Sequence, residues 1–205
     1  MQKSMTISYE IGDKLYLNIT NKCPCNCTFC IRNNGDGAYG SDPLWLEHQP
    51  TAHEVIEDLK KRDLNSYKEI IFCGYGEPTC ELEILKETAK YIRSVSKTPT
   101  RLNTNGLGDL INKRDISSDF KGLIDTVSIS LNAADKDEYY KVTRPSFKDA
   151  DCFEAMLRFA ENVSKYVPST MFTVVDVIGS DEIEKSQKLA DSIGIKLRVR
   201  EYISE

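Results

Sequence analysis

The sequence predicts an α/β fold: a partial (β/α)6 barrel of parallel strands with an N-terminal β-hairpin. Short β-branched runs alternate with longer helical patterns in strict β-then-α succession, which implies a parallel sheet. Six such alternations fit within 205 residues, whereas a closed eight-fold barrel takes about 250. No repeat, low-complexity tract or linker divides the chain, so residues 1–205 are expected to form one domain.

The first run, Leu15 to Thr20, puts Leu15, Leu17 and Ile19 on one face and is expected to pair with Thr6 to Glu10 through a turn at Gly12-Asp13. A long loop over 21–50 follows, and Thr51 with Glu54 then forms a capping-box signature. That helix is expected to bury Ala52, Val55, Ile56 and Leu59. The second run is Glu69 to Cys73, with a helix burying Leu82, Leu85, Ala89 and Ile92 after it. The third, Thr100 to Thr104, ends at Asn105-Gly106, and 107–120 suits a short helix. The fourth is Thr126 to Leu131. A polar segment then leads to a helix burying Phe153, Met156, Leu157 and Ala160. The fifth run is Thr170 to Ile178. Ser180 is expected to cap the last helix, which uses Ile183, Ala190 and Ile193 and stops at Gly194. The sixth, Lys196 to Ile203, nearly finishes the chain.

A hydrophobic fraction of 40% supplies a normal core and excludes disordered and disulfide-dependent classes. No apolar stretch is long enough to span a membrane, and the amino terminus lacks a secretory signal, so the expected compartment is the reducing cytoplasm. A net charge of −5 argues against bulk nucleic-acid affinity. Seven cysteines, an odd number, need another explanation than a disulfide framework.

In a parallel α/β fold, chemistry gathers at the C-terminal strand ends. After the first run come Cys23, Cys25, Cys27 and Cys30, four thiols in eight residues. Such spacing on a single loop suits an iron–sulfur cluster better than structural zinc, which draws ligand pairs from separated segments. After the second run comes Gly74-Tyr75-Gly76-Glu77-Pro78, whose glycines permit close backbone approach and whose Glu77 offers a carboxylate to a cation. The third run ends in Thr104-Asn105-Gly106. On the fourth, Ser128, Ser130 and Asn132 share a face. Asp176 on the fifth either faces the site or lies at the strand end near solvent. Lys196, Arg198 and Arg200 share a face of the sixth; turned inward, Arg198 and Arg200 could hold an anion. Cys73 is expected in the core, Cys80 at a helix start and Cys152 on a helix. His48 and His53 form no metal pair.

Cys23, Cys27 and Cys30, spaced C-x3-C-x2-C with Phe29 before the last, resemble the cluster motif of the radical S-adenosylmethionine (radical SAM) superfamily. Gly74 to Pro78 resembles its Gly-Gly-Glu-Pro motif, with Tyr75 at the second glycine. Thr104-Asn105-Gly106 and Ser130-Leu131-Asn132 resemble its later strand ends, with Asn132 in place of Asp and without its charge. All four appear in the superfamily's order. The N-terminal hairpin and the run Cys30-Ile31-Arg32-Asn33 resemble small proteins associated with TatD-type deoxyribonucleases.

The resemblance implies that Cys23, Cys27 and Cys30 hold a [4Fe–4S] cluster with one iron open for the amino and carboxylate groups of SAM, leaving Cys25 a bystander. It implies SAM contacts from Gly74, Gly76, Glu77, Thr104, Ser130 and Asn132, with backbone near Phe29 on adenine. Arg200 is a candidate for the SAM carboxylate or an anionic substrate group. A low-potential donor of flavodoxin or ferredoxin type would reduce the cluster, and the 5′-deoxyadenosyl radical formed from SAM would abstract hydrogen from substrate. A short barrel with an open side would admit a large substrate, protein or nucleic acid; glycyl-radical activation and nucleobase modification are both open. The alternatives are an electron-transfer iron–sulfur protein and a zinc-stabilised module using Cys25 as fourth ligand. Cys27→Ala is expected to abolish cluster assembly, measured as iron and sulfide per chain, and Cys25→Ala to leave it intact.

Overall fold

The computed structural model describes residues 2–201. Its framework is one seven-stranded sheet: β1 (Ser8–Ile11), β2 (Lys14–Leu17), β3 (Glu69–Phe72), β4 (Thr100–Thr104), β5 (Thr126–Ser130), β6 (Ser169–Val175) and β7 (Lys196–Arg200). Spatial order follows chain order from β1 to β7. Each strand lying beside its successor gives the wall of a barrel, whereas a doubly wound sheet reverses its order midway. Only β1 runs antiparallel, to β2; the other five pairings are parallel. β1 and β7 form the two edges, so the barrel is partial.

The hairpin turns at Gly12-Asp13, with Ile11 opposite Lys14 and Gly12 at φ +59°, a backbone region glycine enters without Cβ cost. β2 ends at Leu17, three residues earlier than expected, because Asn18 leaves the ladder to serve the loops around it. β6 ends at Val175, and Asp176–Ile178 form a single 3-10 turn. The expected extension of the last strand to Ile203 includes residues 202 and 203, outside the described residues.

Six helices cover the outer face: α1 (Ala52–Leu59), α2 (Leu82–Val95), α3 (Gly108–Asn112), α4 (Lys136–Thr143), α5 (Cys152–Val163) and α6 (Ser180–Ile193). α1 opens with both halves of the Thr51/Glu54 capping box. It buries Val55 and Leu59 fully, but Ala52 and Ile56 only partly. α2 buries the whole expected stripe. α5 buries Met156, Phe159 and Ala160, while Phe153 and Leu157 are half-buried on its flank. The cap of α6 is Gly179, with Ser180 already helical, because Gly179 at φ +84° makes the turn out of β6. Gly194 ends α6 in the left-handed region as expected. α4 lies in the stretch expected to be merely polar; Asp135 caps it and it buries Tyr139 and Thr143. Among the described residues no helix is long and apolar enough to cross a membrane.

Period-two alternation divides the sheet into two unlike faces. Leu17, Ile70, Phe72, Leu102, Val127 and Phe172 pack with α2 and α5 in the main core, each side chain worth roughly 1.5–3 kcal/mol of burial. The opposite, concave face carries Tyr16, Cys73, Arg101, Asn103, Ser128 and Thr173, and it lines a cavity. Cys73 therefore belongs to that cavity and not to the core: its neighbours Phe72 and Ile70 take the outward positions.

Asn18, fully buried, joins three segments. Its Nδ2 donates to the carbonyls of Thr6 (3.1 Å) and Leu44 (2.8 Å), and its Oδ1 accepts from the Tyr75 N–H at 3.1 Å. Asn18→Leu leaves these backbone groups buried without partners, and thermal or denaturant melts should show a loss of about 3 kcal/mol.

Candidate active site

The cysteine loop is held from both sides. On one side it is sewn to the end of α4: Thr28 N–H donates to Val142 O (2.9 Å), Asn26 N–H to Thr143 O (3.0 Å), and Ser146 N–H to Pro24 O (2.8 Å). The last carbonyls of a helix lack intrahelical partners, and here the loop supplies donors. On the other side Arg32 donates from Nε to Cys30 Sγ (3.3 Å) and from Nη2 to Cys25 O (3.3 Å), with its guanidinium 5.9 Å from the Trp45 ring.

Within the loop, the Cys25 thiol is buried with Cys23 and Cys27 as its neighbours. Sharing its one proton with them lowers Cys23 to about 7 and also lowers Cys27, while the same neighbours push Cys25 far up. Thiolate is the form that binds metal. Among the described residues no three His, Cys, Asp or Glu side chains are arranged to hold a single metal ion. Cys30 stands against Arg32. Thiols spread along one loop suit a polynuclear cluster, whose irons are separate attachment points, better than a single tetrahedral ion.

The turn after β3 lies against the loop. A Cβ at Gly76 would overlap the Thr20 carbonyl and come within 2.8 Å of Lys22 O; one at Gly74 would overlap the Asn18 side chain. Both glycines are thus required by the chain's own close approach from β2. Tyr75, standing where the superfamily motif has glycine, points away. Its hydroxyl donates to the carbonyls of Gly35 (2.9 Å) and Gly37 (2.7 Å), and its ring meets Trp45 edge-on at 5.1 Å. With Tyr9, Ala38 and Leu44 it makes a second small core beneath residues 34–44.

Glu77 is 3% exposed. Oε1 accepts from Thr79 N–H (3.1 Å), Thr79 Oγ1 (2.7 Å) and Thr104 Oγ1 (2.8 Å), and Oε2 from Asn105 N–H at 2.7 Å. Burial raises its pKa, and these donors partly offset the rise. A carboxylate has about four acceptor positions, and the second lone pair of Oε2 has no protein donor here.

One cavity of about 650 Å³ at the C-terminal strand ends gathers the expected residues: Cys23, Cys27, Cys30, Phe29, Gly74, Gly76, Glu77, Thr104, Ser130, Asn132 and Arg200 all line it. Asn132 sits just past β5 at φ +65° and is 5% exposed; the left-handed region favours Asn among non-glycine residues. Arg198 also faces the cavity. Lys196 and Asp176 do not line it, and Asp176 lies at the strand end toward solvent, one of its two expected positions. Cys80 is half-buried in the 3-10 turn Pro78–Glu81, its thiol pushed up to about 12 by burial and Glu77. Cys152 begins α5. His48 bonds Glu54 at 2.8 Å and His53 lies 3.8 Å from Glu57. The sequence reasoning passed over Arg32, Arg101, Asn103 and the contacts of Asn105. Asn105 Nδ2 is 3.7 Å from Cys25 Sγ and 4.0 Å from Cys23 Sγ. Strand alternation could have placed Arg101 and Asn103 beside Ser128 on the concave face.

Gly76→Ala should therefore displace Thr20–Lys22 and the cysteine loop with it. The expected outcome is a melt lowered by about 2 kcal/mol together with loss of bound iron after anaerobic reconstitution.

A family model described as the radical SAM superfamily matches residues 17–190. A GTP 3′,8-cyclase of Rhodococcus opacus is 27% identical over 137 residues, 66% of this chain and 36% of that protein. The chain thus aligns with little over a third of the cyclase. A glycyl-radical enzyme activating enzyme of Methanocaldococcus jannaschii is 24% identical over 203 residues, 97% of this chain and 71% of that one. Two solved structures share the fold. HydG, a maturase of the [FeFe]-hydrogenase, has a TM-score of 0.62 at 14% identity, covering 92% of this chain and 42% of HydG. Archaeal TYW1 has a TM-score of 0.55 at 16% identity, covering 92% and 64%. With the family model spanning most of the chain and the matching strand ends around one cavity, this protein belongs to the radical SAM superfamily.

Proposed function

We propose that the chain is an enzyme that holds a [4Fe–4S] cluster on Cys23, Cys27 and Cys30, binds SAM beside it, and directs hydrogen abstraction at a substrate entering the same cavity. The observation that carries this reading is convergence: the cysteine loop, the Glu77 turn and the ends of β4, β5 and β7, far apart in sequence, line one space.

When bound, cluster and SAM together supply one-electron reductive cleavage and a hydrogen-abstracting carbon radical. The chain's own residues bind and orient. Cys23 and Cys27 both have lowered thiol pKa values, which favours the thiolate form that binds metal. Cys23, Cys27 and Cys30 would hold the cluster and leave SAM the place of a fourth ligand. Glu77 Oε2 has acceptor capacity toward the SAM ammonium, and Thr104 fixes the carboxylate's orientation. Gly74 and Gly76 keep the turn's backbone close to the loop. Ser130, the last residue of β5, and Asn132, just past it, would take the methionyl and ribose parts, and backbone at Phe29 the adenine. Arg200 supplies positive charge for an anion in the cavity. Tyr75, through Gly35 and Gly37, holds residues 34–44 over the site and limits water entry.

A low-potential flavodoxin or ferredoxin would donate the electron in a reducing cytoplasm. The open flank along β7 gives access to a substrate larger than the cavity, and the name of the M. jannaschii relative supports a macromolecular one. Anaerobic reconstitution with iron and sulfide, then dithionite and SAM, should release 5′-deoxyadenosine and methionine, measured by chromatography. A redox-active cluster without 5′-deoxyadenosine would identify an electron carrier, and tight zinc without a cluster a binding module.

A further inference from the structure

The concave face carries polar groups that cofactor binding does not employ. Arg101 and Asn103, two residues apart on β4, both point into the cavity, about 7 Å from each other along the strand. Arg101 is 7% exposed; its Nη2 pairs with Glu69, but its Nε is buried without a partner. Asn103 Oδ1 is also buried without a partner, and its amide nitrogen faces the Cys73 thiol. One donor and one acceptor on the same cavity wall thus lack protein partners.

Charge gives the second observation. The chain has a net charge of −5, yet Lys14, Arg101, Arg198 and Arg200 line this cavity against Glu77 and Glu201. Glu77 already accepts from four protein donors, and its remaining position on Oε2 is the one assigned to the SAM ammonium. Glu69 serves Arg101 and, at 3.8 Å, Lys14. Among the described residues neither Arg198 nor Arg200 makes an ion pair. Arg101 from β4 and Arg200 from β7 both line this cavity. A cleft whose basic side chains outnumber its acidic ones favours an anion.

We propose that Arg101 and Arg200 bind an oxyanion, phosphate or carboxylate, carried by the substrate, and that Asn103 accepts a hydrogen bond from a hydroxyl or amino group beside it. This rests on the cofactor reading for the chemistry above the site. SAM brings a carboxylate of its own, so the test must separate the two oxyanions.

The reconstituted protein, saturated with SAM under anaerobic conditions, is titrated calorimetrically with inorganic phosphate and separately with sodium succinate. One of the two should bind saturably, and more weakly as salt is added. Arg200→Gln should weaken that binding about tenfold or more, and Arg200→Lys by less, since lysine keeps the charge but not the fork. Arg200 is the better target because it lies exposed on an edge strand, whereas removing Arg101 strands Glu69; an unchanged melt for Arg200→Gln verifies its fold. The proposal is overturned if neither anion binds, if binding displaces SAM, or if Arg200→Gln binds as the parent does. Release of 5′-deoxyadenosine is scored on the same preparation. Anion binding without it upholds the oxyanion site and removes the cofactor reading, and its release without anion binding does the reverse.

Discussion

The side chain of Asn18 is the contact on which the rest of the site depends. The loops of this protein have to cross one another at the mouth of a partial barrel, where no ladder can satisfy their backbones. A single buried amide answers three of those groups, from the segment before β1, the loop over the cavity and the turn after β3. Because Gly74 and Gly76 lie against Asn18 and Thr20 with no room for a Cβ, the turn that carries Glu77 and the loop that carries the cysteines share one fixed spacing. α4 closes the arrangement from the far side by offering its final carbonyls to Asn26 and Thr28.

A second constraint is the split character of the sheet. In a closed barrel the inward side chains are bulky and fill the interior. Here the inward positions of β4, β5 and β6 are Arg101, Asn103, Ser128 and Thr173, too polar to pack against one another. An interior of that kind stays open and holds something polar, and closing the barrel with further strands would trap those groups. Openness and polarity belong together.

Much of this was legible in the sequence. The strands, the Gly12-Asp13 turn and the Thr51 capping box follow from periodicity and turn chemistry, which are local signals, whereas most residues around the cavity are marked by the resemblance of four motifs to one superfamily. What escaped depends on tertiary partners. α4 reads as polar because only Tyr139 and Thr143 are buried, too few to make a stripe, although Asp135 three residues before Glu138 was an available signal. Cys73 looks like the end of an apolar run because Ile71 also faces inward, where the alternation is masked by a hydrophobic residue on each face. The position of the Cys25 thiol between Cys23 and Cys27 has no sequence signature at all. It is set by the carbonyls of α4 and by Arg32.

β7 has another consequence, away from chemistry. Among the described residues it pairs only with β6, so its outer row of N–H and C=O groups is a template for another strand. Lys196, Arg198 and Arg200 stand along it at every second position. A second copy approaching edge to edge would bring the same three charges face to face, and their repulsion guards the sheet against self-pairing.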